Sequence, residues 1–215
     1  MKFSYMLAPL EDLSDNALRA LCYKHGADLT FTEMIRVEAL AKKIESVWAR
    51  IEFKDDTPTI IQLSANKEYV LKKFLSMFKP YNSFKGFNLN FGCPDPQIVK
   101  IGQGCAMIKR VAKTEKLLKI IKKNGYNVSI KLRLGMNLFE RQKKVYLNLI
   151  KNVSADFFIV HSRYGSQKYN EPADFSVYPE CVDTGKAIIA NGDIETKEQI
   201  KQLKMVGLKG VMLAR

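Results

Sequence analysis

The chain has 215 residues, 47% of them hydrophobic, and its 35 Lys and Arg against 22 Asp and Glu give a formal charge of +13. This length suits a single domain over residues 1–215, because α/β barrels of about 200–250 residues form one unit. No apolar run of about 18 residues exists, which excludes a transmembrane helix. Met1-Lys2-Phe3-Ser4-Tyr5-Met6 passes straight into a strand pattern with no secretory signal, so a cytoplasmic protein is expected.

Residues 3–8 read as a first strand. Ser14 is a candidate N-cap for a helix over 15–25, with Gly26 at the C′ position. Strands over 29–33 and 59–63 precede a helix over 68–78, which Pro80 follows. A fourth strand, 86–90, runs into Asn90-Phe91-Gly92-Cys93-Pro94. The helix over 106–123 places Ile108, Leu117, Leu118 and Ile121 on its apolar side and stops at Asn124-Gly125. Strands over 128–132, 157–161, 187–191 and 210–213 follow, with helices over 139–151 and 196–204. Near-continuous apolar runs such as Phe157-Phe158-Ile159-Val160 fit strands buried on both faces of a parallel sheet. Eight strands in β-α alternation predict a (β/α)8 TIM barrel, with a doubly wound open sheet as the alternative. The sequence stops at Ala214-Arg215, directly after strand eight, so an eighth helix is not encoded. A partner or second copy covering that flank, or a longer parent protein, is expected.

Active sites of such barrels form at the C-terminal ends of the strands. The residues there are Pro9, Leu10 and Glu11; Glu33; Gln62; Asn90 and Cys93; Lys131 and Arg133; His161, Arg163 and Tyr164; Asn191, Gly192 and Asp193; and Arg215. Cys93 is held extended by Pro94; it is either a buried structural thiol or a working one. Lys131 is either a snorkelling end-of-strand lysine or a fixed positive charge for a bound anion. His161 is a satisfied interior histidine or a cofactor contact, Glu33 can pair with a nearby Arg, and Gly102-Gln103-Gly104 would admit close backbone approach. Four scattered cysteines (Cys22, Cys93, Cys105, Cys181) form no C-x-x-C pair and neither histidine lies near them, so no metal site is expected. Between residues 100 and 151 fourteen Lys or Arg face only Glu115 and Glu140. This stretch is either a polyanion-binding surface, nucleic acid being the commonest ligand, or a solvated lysine-rich face.

In order along the chain, Ala8-Pro9-Leu10-Glu11-Asp12, Phe31-Thr32-Glu33-Met34, Gln62-Leu63, Asn90-Phe91-Gly92-Cys93-Pro94 with Gly102-Gln103-Gly104-Cys105-Ala106, Lys131-Leu132-Arg133, His161-Ser162-Arg163-Tyr164 with Gln167 and Tyr169, Ala190-Asn191-Gly192-Asp193-Ile194 and Val211-Met212-Leu213-Ala214-Arg215 resemble the flavin-dependent tRNA-dihydrouridine synthases, in a short form without their C-terminal helical domain. The resemblance implies a barrel holding FMN, with NADPH as electron donor and tRNA as substrate. It implies that Pro9, Leu10, Glu11 and Gln62 line the flavin and that Lys131 sits by its pyrimidine end. His161, Asn191, Gly192, Asp193, Ala214 and Arg215 would serve the ribityl chain and phosphate. Cys93 would be the proton donor, with Asn90, Arg163 and Tyr164 at the target base. A thiol near its ordinary pKa of about 8.5 is mostly protonated at neutral pH, as a general acid must be. The alternatives are a flavin oxidoreductase of a small pyrimidine, like dihydroorotate dehydrogenase, and a non-catalytic RNA-binding barrel.

Overall fold

The structure, a computed structural model, describes residues 2–214. Among these residues nine parallel strands form one sheet: β1 (Ser4–Leu7), β2 (Thr30–Phe31), β3 (Ile35–Arg36), β4 (Thr59–Ser64), β5 (Phe84–Phe91), β6 (Val128–Leu132), β7 (Phe158–His161), β8 (Ile188–Asn191) and β9 (Gly210–Leu213). Their spatial order is β1-β9-β8-β7-β6-β5-β4-β2, and β3 also pairs with β4. The Met6–Leu29 bridge brings β1 beside the approach to β2, where the Leu7 N–H donates to the Leu29 carbonyl at 3.0 Å. The sheet therefore closes into an eight-staved barrel, with β2 and β3 as two pieces of one stave. The (β/α)8 expectation holds.

Residues along a strand alternate between two environments, as the period of two requires. Met6, Phe31, Ile60, Ile159, Ile189 and Met212 form a small apolar cluster inside the barrel. Their strand neighbours Ile61, Phe87, Ile130, Phe158, Val160, Ile188 and Val211 join a larger cluster with Phe74, Leu117, Leu118 and Ile121 of the surrounding helices. Strands sandwiched this way carry unbroken apolar runs, which is the pattern that announced them.

Local differences from the sequence reading have identifiable causes. The second stave is interrupted at Thr32–Met34, where the Thr32 hydroxyl takes the N–H of Gln62. Asp15, not Ser14, caps the helix Asn16–Lys24, accepting from the Leu18 N–H; the Ser14 hydroxyl is committed to the N–H and carbonyl of Leu10. The helix expected over 106–123 is a 3₁₀ turn, Gly104–Met107, followed by Val111–Lys123. The helix expected over 139–151 is broken at Lys144, whose φ is 52°, into Leu138–Gln142 and Val145–Asn152. Among the described residues no helix is long and apolar enough to cross a membrane.

Candidate active site at the barrel mouth

The polar half of the barrel interior is one directed chain of side-chain amides. Gln62 Nε2 donates to Asn88 Oδ1 (2.7 Å), Asn88 Nδ2 to Ser129 Oγ (2.8 Å) and Asn90 Nδ2 to Gln62 Oε1 (2.8 Å). At the top of the chain Asn90 Oδ1 accepts the backbone N–H groups of Gly92 (3.0 Å) and Cys93 (2.9 Å). Each amide both donates and accepts, so the orientation of one fixes the next. Gln62 and Asn88 can be buried because their hydrogen bonds are made inside the chain.

Cys93 is held from its other side as well. Its carbonyl accepts the Cys105 N–H at 2.9 Å. Gly104 sits at φ +57°, and a Cβ there would lie 2.4 Å from that carbonyl. The close approach expected of Gly102-Gln103-Gly104 is therefore made to Cys93. Gln103, fully buried, anchors the segment by accepting from Ser64 Oγ (2.7 Å) and donating to Glu38 Oε1 (2.8 Å). The half-buried Cys93 thiol is pushed up in pKa by desolvation, with Arg133 opposing the shift in part. It is protonated at neutral pH.

Lys131 neighbours Asn90 in the β5–β6 register. Its ammonium has no hydrogen bond or ion pair among the described residues, and burial, helped by nearby Arg133, lowers its pKa from 10.5 to about 8. It faces a cavity of about 190 Å³ lined also by Pro9, Leu10, His161, Asn191, Gly192 and Ala214. Asn191 is buried and ties β8 to β9 by donating to the Met212 carbonyl at 2.9 Å. Gly192 has φ +104°, and a Cβ there would meet the His161 ring at 2.7 Å.

Other expected site residues are placed differently. Arg163 is 1% exposed. Its guanidinium is spent on Asp193 (2.9 and 2.5 Å) and on the carbonyls of Glu171 and Tyr169, so it fastens the loop over the cavity and has no donor to spare for a substrate. Tyr164 offers backbone rather than ring: its carbonyl accepts from Arg133 at 2.9 Å. Glu11 does not line the cavity; it pairs with Arg50 at 2.7 Å, and Arg50 also holds Glu33. Gln62 does not line the cavity either; it is committed to the amide chain. Arg215 lies outside the described residues.

Sequence reasoning missed Tyr169 as a site residue. Its ring lines the cavity with Arg133 and Arg163 at 5.7 and 5.6 Å from its centroid. The motif His161-Ser162-Arg163-Tyr164 with Gln167 and Tyr169 contains it, but no site role was expected of it. Among the described residues no group of three or more His, Cys, Asp or Glu side chains is placed to hold a metal.

A closed parallel barrel with a cation, a positioned thiol and an amide row at its C-terminal mouth defines a TIM-barrel protein with an enzyme-like site. The family model described as Dihydrouridine synthase (Dus) matches residues 6–215, and the chain belongs to that family. It is 29% identical over 216 residues to a probable tRNA-dihydrouridine synthase of Helicobacter pylori, covering 97% of this chain and 65% of that protein. A probable tRNA-dihydrouridine synthase 2 of Bacillus subtilis is 28% identical, with 98% and 68% covered. The human tRNA-dihydrouridine(47) synthase [NAD(P)(+)]-like protein is 25% identical, with 97% and 33% covered. The chain thus spans about two thirds of the bacterial relatives and a third of the human one. Among solved structures, N-acetylmannosamine-6-phosphate 2-epimerase from Clostridium perfringens superposes with a TM-score of 0.56 at 14% identity, over 98% of this chain and 86% of that one. Inosine 5′-monophosphate dehydrogenase from Legionella pneumophila gives 0.56 at 11% identity, over 98% and 57%. These likenesses concern the fold alone.

Proposed function

We propose that this chain binds FMN at the barrel mouth and reduces the C5–C6 bond of uridine in tRNA to dihydrouridine, with NADPH as the source of electrons. The observation that carries the reading is the Lys131 ammonium, unpaired among the described residues, beside Asn90, the residue that holds the Cys93 loop. A largely desolvated cation without a counter-charge is costly unless a ligand supplies one.

The cavity residues fit an FMN. Lys131 supplies a positive charge for the pyrimidine end of a reduced, anionic ring. Pro9, Leu10 and Ala214 offer apolar walls, and the bare Gly192 backbone beside His161 leaves room for a phosphate or ribityl oxygen. When bound and reduced, FMN supplies the hydride. The chain's own part is to deliver a proton and to exclude other outcomes. Cys93 Sγ gives its proton to the carbon that does not receive the hydride, and burial keeps that proton on sulfur at neutral pH. Asn90 keeps the Cys93 backbone from drifting, and one amide hydrogen on its Nδ2 remains for the base. A uridine must leave its stack to reach this mouth. A cytoplasmic setting belongs to the same reading, since tRNA and NADPH are both found there.

The test is to load the purified chain with FMN, follow flavin absorbance, and incubate it with unmodified tRNA and either NADPH or dithionite. Nucleosides are then analysed by mass spectrometry. Dihydrouridine with both reductants is the expected result. None with either, despite bound flavin, overturns the reading; product with dithionite alone removes only NADPH.

A further inference from the structure

A second basic region lies at the mouth, away from the stretch the sequence singled out. The helix Val111–Lys123 carries much of the 100–151 lysine excess, yet its C-terminal end lies at the opposite pole of the barrel. There Lys122 pairs with Asp156, just ahead of β7, at 2.7 Å. By contrast Arg36 ends β3, Lys67 follows β4 and Ile101 follows β5, all on the C-terminal side. With Lys42, Lys73 and Tyr69 they line a groove of about 420 Å³. Tyr69 is 70% exposed and Ile101 41%.

Four cations face one carboxylate, Glu38, which is already engaged by Gln103 at 2.8 Å and lies 3.9 Å from Arg36. Glu68, next to Lys67, lies 4.0 Å from Lys116 on the neighbouring helix. The groove therefore keeps a net positive charge with a flat aromatic ring standing in it. Cations tracking a backbone beside an exposed aromatic platform are how single-stranded nucleic acid is held without sequence preference. A double helix presents no free base face to such a ring.

We infer that this groove binds single-stranded RNA, its lysines and Arg36 on phosphates and one base on Tyr69; the inference rests on the proposed RNA substrate and adds where the strand beside the target nucleotide lies. One wall of the groove is also the brace of the thiol. Ile101 begins the segment whose Gln103 is bonded to Glu38 and whose Cys105 N–H holds the Cys93 carbonyl. RNA seated there presses on the segment that sets Cys93.

Fluorescence anisotropy of a labelled twelve-nucleotide oligouridylate, titrated with the full chain at several salt concentrations, tests this. Lys67→Ala/Lys73→Ala should flatten the log affinity–log salt slope by about 1.4, two phosphates at about 0.7 each. Tyr69→Ala should weaken binding about 5- to 150-fold, the worth of one stacked base, and Tyr69→Phe should retain it. Lys119→Ala/Lys123→Ala, toward the far end of the helix Val111–Lys123, should leave the slope unchanged, and circular dichroism checks that each variant is folded. If the wild type binds the RNA and the groove variants bind as well as it does, the groove assignment is overturned and the RNA substrate stands. Equal loss from the Lys119/Lys123 pair, or polyglutamate competing as well as RNA, likewise overturns it. If the wild type binds no RNA, the substrate reading falls with it.

Discussion

The Cys93 N–H donates to Asn90 Oδ1 at 2.9 Å, so the backbone of the thiol is set by a side chain that is itself set from within the barrel. Asn90→Ala strips Gln62 Oε1 of its donor and frees two loop N–H groups. A buried polar atom left without a partner costs about 1–3 kcal/mol. The folding midpoint in urea should fall accordingly. Dihydrouridine formation should drop about 100-fold, the scale expected when a reacting group loses its alignment. Asn90→Asp should be milder in stability. Its carboxylate still accepts the loop N–H groups, and the amides of Gln62 and Asn88 can turn over together, with the Ser129 hydroxyl then donating at the far end. Equal midpoints for the two variants would show that the amide chain does not hold the loop.

Burial raises the Cys93 pKa, so its alkylation by iodoacetamide should speed up with pH through a midpoint above the ordinary value of about 8.5. Subtracting the rate of Cys93→Ala removes the other cysteines, of which Cys105 and Cys181 are buried and pushed up to about 12. A midpoint below 7 would make Cys93 mostly thiolate at neutral pH and would remove it from the proposed role of proton donor. In turnover, Cys93→Ala should lower the rate of dihydrouridine formation about 10²- to 10⁴-fold, the range for loss of a general acid.

The barrel was legible because its strands are buried on both faces, so each announces itself as an apolar run whatever surrounds it. The broken second stave was not, since Thr32–Met34 reads as a continuation until the Thr32 hydroxyl is seen to serve Gln62. Nor were the breaks at Arg110 and Lys144, because neither residue type signals the end of a helix. Asn90, Cys93, Lys131 and His161 stood out as polar groups ending apolar strands. The partners of Arg163 did not, because they come from a loop that folds back from residues 169–171 and from Asp193 on the next stave, which only the tertiary fold brings together.

Arg163 is a stabilising fastener on this geometry. Arg163→Ala leaves Asp193 and the carbonyls of Tyr169 and Glu171 without their shared donor. Breaking a buried pair costs about 3–5 kcal/mol, and because Asp193 keeps 31% of its side-chain surface in solvent a loss of about 2–3 kcal/mol is expected. Limited proteolysis should begin within residues 165–173. Arg163→Lys keeps the charge but not the fork, and should recover less than half of the loss. A variant as stable as the wild type would return Arg163 to the list of groups free for substrate.

Lys131 gives the clearest pH signature. Its pKa falls from 10.5 in the unfolded chain to about 8 in the fold, so between those values the unfolded state binds more protons and stability rises with pH. Below pH 8 the full cost of burying the ammonium is present; above 10.5 it is gone. Lys131→Met should therefore be more stable than the wild type at pH 7, with the advantage shrinking through the window from 8 to 10.5 and absent beyond it. Binding of an anionic ligand reverses the balance, because the charged ammonium is then the favoured form and a proton is retained. Affinity for reduced FMN should accordingly decline as pH rises above about 8 in the wild type and stay flat in Lys131→Met. Isothermal titration in two buffers of different ionisation enthalpy reads the proton directly: uptake on binding near pH 8.5 is expected for the wild type and none for the variant. Equal uptake by both would place the titrating group elsewhere and remove Lys131 from the anion site.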